Sequence, residues 1–145
     1  MDDFNRQKIS YIEIMTDNPE SGYDFPCLSF DIQNCVVLNT AYIMTGNIDD
    51  LKYILGILNS KLGRLLVKNY VTQLQQRQFR MLNQDVANFP IPKNENGGHI
   101  AVIVDEILLA KNLGMDVKHL EAKVDLLVYE LFGFDTKEIA FIECR

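Results

Sequence analysis

Between Leu51 and Leu66 the apolar residues Leu51, Ile54, Leu55, Leu58, Leu62, Leu65 and Leu66 recur at intervals of three and four. That spacing is helical, and it predicts one helix from Asn47 to about Asn69. Asn47 can cap it, and Asp50 three positions later favours the positive helix start. The opposite faces carry Lys52, Ser60, Lys61, Arg64 and Lys68. Gly56 and Gly63 permit close helix packing, each at a cost of about 1 kcal/mol against Ala.

The residues before this helix read as short strands. Lys8–Ile14 is rich in Ile and Tyr, with Ser10, Ile12 and Ile14 on the face opposite Ile9, Tyr11 and Glu13. Asp17-Asn-Pro-Glu-Ser-Gly22 is a turn cluster. Cys27–Asp31, Cys35–Leu38 and Ala41–Thr45 read as further strands, the last closed by Gly46-Asn47. Residues 70–84 show no clean period, and Phe89-Pro-Ile-Pro92 is extended and rigid. Past a boundary at Asn94–Gly98 come two amphipathic helices, Ile100–Leu113 and Val117–Leu131. Gly114 ends the first and Asp116 can cap the second, so the pair should run antiparallel. Asp135-Thr-Lys-Glu138 is a capping-box-like start for a last short helix with Ile139 and Ile142. The expected class is α+β: a small, mainly antiparallel sheet with a packed amphipathic helix, followed by a C-terminal antiparallel helical segment. Residues 1–93 form the expected core and 98–145 the helical segment.

A chain of 145 residues can build a core without disulfides or metal, burying roughly two-thirds of its unfolded surface. No apolar run approaches the roughly 20 residues a membrane helix needs, and the start lacks the basic and apolar stretches of a signal peptide. Cys27, Cys35 and Cys144 form no Cys-x-x-Cys pair, which suits inert thiols in a reducing cytoplasm. His99 and His119 have no partners at metal-ligand spacing.

Charge is unevenly spread. The chain carries a net −6, yet from Lys52 to Lys93 seven Lys/Arg (52, 61, 64, 68, 77, 80 and 93) face one acid, Asp85. Within this stretch lies Gln73-Leu-Gln-Gln-Arg-Gln-Phe-Arg80. Arg and Gln carry forked donors and acceptors that match guanine and adenine edges in the major groove, so sequence-specific DNA contact is one reading. The other is a solvated basic helix face. Catalytic sets are lacking. Asp17-Asn-Pro-Glu20 lacks the second Pro and the aromatic of the Asn/Asp-Pro-Pro-aromatic loop of amino-group DNA methyltransferases, and reads as a turn. Glu121-Ala-Lys123 matches the end of a nuclease Glu-x-Lys element but lies mid-helix. Gly97-Gly98 lacks the spacing of a phosphate loop. No Ser/His/Asp or Cys/His set is apparent.

Several motifs in order resemble one family. Lys8–Ile14 is similar to its Pro-Lys-Ile strand, with Gln7 where Pro is common. Ile57-Leu-Asn-Ser-Lys-Leu62 resembles its Asn-Ser-Lys-Leu helix, and Phe89–Pro92 the Leu-Pro-Ile-Pro that follows. Val104–Lys111, Leu120–Asp125 and Val128–Gly133, ending at Glu138-Ile139 and Ile142-Glu143, resemble its helical tail. Over roughly 6–143 the chain resembles the TaqI-like target-recognition domain. This is the C-terminal specificity region of adenine-N6 DNA methyltransferases and of fused type IIG restriction-modification enzymes, and it is distantly similar to type I specificity subunits.

The resemblance implies a DNA-binding module of a bacterial-type restriction-modification system, cytoplasmic and non-catalytic on its own. Its partners would be double-stranded DNA and the methyltransferase or nuclease domain of the parent enzyme. S-adenosylmethionine, and magnesium where a nuclease is present, would belong to that parent. Contacts vary between members, so the site residues come from the chemistry here. Gln73, Gln75, Gln76, Arg77, Gln78 and Arg80 are the expected base or groove contacts, and Lys61, Arg64 and Lys68 the phosphate-facing cations. Asn59, Ser60 and Lys61 look mainly like scaffold in the family. The alternative is a protein-protein interaction or oligomerisation module that uses the C-terminal helices without touching DNA.

Overall fold

The computed structural model describes residues 8–18, 20, 25–31, 41–74, 77–93 and 98–144. The Ile- and Tyr-rich start is not one strand. It divides at Glu13 into β1 (Lys8–Ile12) and β2 (Ile14–Thr16), which enter different sheets. β1 is the centre of a three-stranded antiparallel sheet, flanked by β3 (Ser29–Asp31) and β4 (Ala41–Thr45). Ile9 and Tyr11 are buried and Ile12 is exposed, the alternation of a half-covered strand. Lys8 is buried as well, and its ammonium lies 2.6 Å from Asp31, its register partner on β3. The expected strand Cys35–Leu38 lies outside the described residues.

The long apolar period builds two helices: α1 (Ile48–Leu58) and α2 (Lys61–Tyr70). Asn47 caps α1, its side chain accepting from Asp49 N and Asp50 N. Asn59 and Ser60 then interrupt the expected continuous helix. The Asn59 amide brackets the Leu28 backbone, accepting from its N–H (3.0 Å) and donating to its carbonyl (2.9 Å). Ser60 caps α2 through Gly63 N and donates back to Ile57 O. Gly63 is required there, because a Cβ would sit 2.0 Å from the Leu58 carbonyl oxygen. The hydrophobic stripe carries on through the break because apolar periodicity records which residues are buried, not where the backbone bends.

Residues 72–80, aperiodic in sequence, form a hairpin of β5 (Thr72–Leu74) and β6 (Gln78–Arg80), which β2 joins in a second antiparallel sheet ordered β2-β6-β5. Arg77 enters β6 with φ +62°, a left-handed conformation uncommon for a residue other than glycine. A short α3 (Asn83–Val86) leads to the Phe89–Pro92 segment, which is not fully extended but turns at Pro90, with Ile91 N donating to Phe89 O at 2.8 Å; the Tyr53 hydroxyl donates to Pro92 O at 2.9 Å.

The C-terminal helices are α4 (Gly98–Asn112), α5 (Lys118–Phe132) and α6 (Thr136–Glu143). Gly114 follows α4, Asp116 accepts from Lys118 N, and Asp135 and Glu138 form a reciprocal capping box on α6. These helices share the core of the sheets. Ile100, Val104, Val124, Val128 and Ile142 belong to the cluster that contains Ile9, Leu51, Met15 and Phe79. At the α1–α4 crossing Gly56 admits the Ile100 and Val104 methyls, which a Cβ would meet at 2.6 and 2.9 Å. Asp125 of α5, buried, accepts from Lys61 N at 2.9 Å and so satisfies a free amide at the start of α2. The result is an α+β fold. No described helix is long and apolar enough to cross a membrane.

Candidate nucleic-acid interface

The second sheet has two faces. Its register places Ile14, Thr16, Gln78, Arg80 and Leu74 on one, and Met15, Phe79 and Gln73 on the other. Met15 and Phe79 are buried, and the Phe25 ring packs on Phe79 at 5.2 Å between centroids. Gln78 and Arg80 are exposed side by side on the outer face. Gln73 is exposed at the edge strand but faces the other way, and Gln75 and Gln76 lie outside the described residues.

Arg77 and Lys68 converge on Asp17. The Arg77 Nε donates to Asp17 Oδ1 at 2.7 Å and its Nη2 to the Asp17 carbonyl at 3.3 Å, while Lys68 Nζ lies 3.1 Å from Oδ2. Both carboxylate oxygens are thus engaged, and the Asp17 side chain is only 7% exposed. The Arg77 hydrogen bond, followed by the hydrogen bond and charge of Lys68, holds the Asp17 carboxyl below the usual Asp value despite its burial. Asp17 in turn raises the Arg77 guanidinium. Arg80 pairs with Glu13, with Nε and Nη2 each 3.1 Å from Oε1.

Lys61 is seven residues from Lys68, about 10 Å along α2 at 1.5 Å per residue, and meets Glu143 at 3.7 Å. Arg64 lies between them, its guanidinium 6.0 Å from the Phe25 ring centre. Among the described residues it has no carboxylate partner, and its Nε is buried without an acceptor. Lys52 pairs with Asp105. Five of the seven cations in the basic stretch therefore pair with four acids, Asp17 taking two of them, folded in from residues 13–17 or from the C-terminal helices. A charge excess along the sequence is much smaller in space. The fold gathers Lys68, Arg77, Gln78 and Arg80 at one sheet, with Arg64 adjoining through Phe25. Lys61 stands at the other end of α2 and Gln73 on the opposite face.

The sequence reading missed Glu13, Asp17 and Phe25. A signal existed: two acids four apart bracket a strand, and two arginines three apart bracket another. Only the pairing of segments 60 or more residues apart reveals the match.

Among the described residues no group of three or more His, Cys, Asp or Glu could hold a metal ion. Glu121 and Lys123 are exposed along α5. An open groove between α1 and the Phe89–Lys93 segment is lined mainly by apolar side chains, including Met44, Tyr53, Ile54 and Val86, with Asp50 and Lys93 at its rim.

The described residues thus place exposed Arg77, Gln78 and Arg80 on a short hairpin beside α2, within an α+β scaffold. The model of the TaqI-like C-terminal specificity domain family matches residues 4–91, more than half of the chain, and the protein belongs to that family. The match takes in both sheets and α1 to α3 and stops before α4. No curated protein matches the chain.

Proposed function

We propose that the chain is the DNA target-recognition module of a restriction-modification system, reading sequence for adenine-N6 methylation performed by a partner or parent methyltransferase. Family membership over residues 4–91 is the observation that carries this reading. In it, Arg77, Gln78 and Arg80 meet base edges, and Arg64 makes the leading phosphate contact because among the described residues no carboxylate pairs with it. Lys68 and Lys61, both ion-paired, contribute less to phosphate binding. Catalysis, S-adenosylmethionine and any magnesium-dependent nuclease belong to the parent enzyme, of type IIG or a separately encoded kind, in a bacterial-type cytoplasm. Residues 1–93 act as the recognition core and 98–145 as the segment that buttresses it.

A salt titration of duplex binding tests this. Affinity should fall linearly on a double-logarithmic plot, and Arg64→Ala should reduce the slope by about one. Arg77→Ala should cost about 1–3 kcal/mol at one base position. Binding without salt dependence, or equal losses by Arg77→Ala on every sequence, would count against the reading.

A second reading is favoured by exposed apolar side chains on and between α4 and α5: Val102, Leu109, Leu113, Met115 and Leu126. In it these helices dock a partner subunit or domain. Size measurements with Leu109→Ser and Leu113→Ser variants separate the two, since only docking should respond to them.

A further inference from the structure

Glu13 and Asp17 flank β2, and Arg77 and Arg80 sit at the two ends of β6, its antiparallel partner. Backbone bonds beyond the register, from Asp17 N to Arg77 O and from Met81 N to Glu13 O, lock the same ends together. We propose that Asp17 and Glu13 are positioning residues that hold the Arg77 and Arg80 forks aimed outward for base recognition. This rests on the DNA-binding reading above.

The geometry of the guanidinium carries the argument. Arginine has five N–H donors: one on Nε and two on each Nη. In both pairs the same edge is engaged: Arg80 sets Nε and Nη2 on the Glu13 carboxylate, and Arg77 sets Nε on the Asp17 carboxylate and Nη2 on the Asp17 backbone carbonyl. Among the described residues nothing accepts from the opposite edge, both Nη1 hydrogens and the second Nη2 hydrogen. That end-on fork has two parallel donors that can meet guanine O6 and N7 together. An arginine half-exposed at a hairpin would otherwise sample many rotamers, and the carboxylate restricts it before DNA arrives. Arg77 is restrained further by Lys68, which occupies the second Asp17 oxygen and so fixes the carboxylate. The acids also lower the positive charge of the surface, which weakens attraction to phosphates of any sequence while leaving the base-reading edge in place. An ion pair that served only hairpin stability would have no bearing on which bases are preferred.

Two neutral near-isosteres of the full chain test this: Asp17→Asn and Glu13→Gln, beside Arg77→Ala. The first measurement needs no DNA. The Arg77 Nε–H resonance should be protected from solvent exchange in the wild type and lose that protection in Asp17→Ala, which removes the side-chain acceptor. Unchanged protection overturns the proposal. The second is selection from a duplex pool with a randomised core, with total pool affinity measured alongside. The wild type should select a guanine position that Arg77→Ala loses. Asp17→Asn should reduce discrimination at that position about tenfold while binding the whole pool more tightly, and Glu13→Gln should do the same at a different position. Unchanged preference in both variants overturns the positioning role and leaves the DNA reading standing. A wild type that selects no sequence overturns the DNA reading, and this proposal with it.

Discussion

Asp125→Ala should destabilise the protein by about 1–2 kcal/mol, and Asp125→Asn should not. The Asp125 carboxylate is buried on α5 and accepts from Lys61 N at 2.9 Å, at the first residue of α2. Removing the acceptor leaves a half-buried donor unsatisfied, which costs about 1–3 kcal/mol. Loss of an N-terminal acceptor on helices in general costs about 0.5–2 kcal/mol. Burial of the charge works the other way, because it pushes the carboxyl up from its ordinary value, offset in part by the Lys61 N–H and charge. Asn keeps the oxygen and removes the charge. For a chain of this size the Ala variant should therefore melt roughly 3–8 °C lower, with Asn near or above the wild type. The pH dependence follows from the sign. A raised folded pKa means the fold holds the proton more tightly than the unfolded chain does. The cost of the buried charge is then fully present above the folded pKa and fades as pH falls through it. Any advantage of Asn should thus be largest at neutral pH and shrink in acid. The chain has no tryptophan, so urea unfolding is best followed by far-ultraviolet circular dichroism. If Asn proved as damaging as Ala at neutral pH, the reasoning from the acceptor would be refuted.

Three further outcomes follow from the packing and charge. Gly63→Ala should cost at least about 2 kcal/mol in denaturant unfolding, because its Cβ would meet a backbone carbonyl that cannot move alone. Gly56→Ala sets an overpacking cost of about 1–3 kcal/mol against a helix gain of about 1 kcal/mol. Its net loss should shrink when Val104→Ala is added, as a double-mutant cycle would measure. The lowered Asp17 pKa gives stability that is present above the unfolded Asp value of about 3.9 and lost as pH falls through the folded one. The stability gap between wild type and Asp17→Asn should hold steady above about pH 5 and close below about pH 4.

The elements legible from sequence are those specified by neighbours in the chain. The capping box at Asp135–Glu138 and the apolar stripes of α4 and α5 depend on residues a few positions apart, and each stands within a residue or two of its expected place. So does β4, bounded by Gly46-Asn47. The break at Asn59-Ser60 was hidden because Leu58 and Leu62 keep the helical spacing across it. The β5–β6 hairpin was hidden for a different reason: its strands are three residues each, and its turn ends on Arg77 at positive φ rather than on Gly. The site divides in the same way. Arg77, Gln78 and Arg80 stood out by residue type, whereas Glu13 and Asp17 acquire a role only through strand pairing across the chain. The basic stretch looked like an open cationic face for want of that same long-range information.

The most direct test is a nuclear magnetic resonance map of the full chain titrated with the randomised-core duplex pool at moderate salt. The account predicts shifts concentrated at Glu13–Asp17, Arg64, Lys68 and Arg77–Arg80, fading as salt is raised. Shifts confined to Val102, Leu109, Leu113, Met115 and Leu126, or none at all, would contradict it.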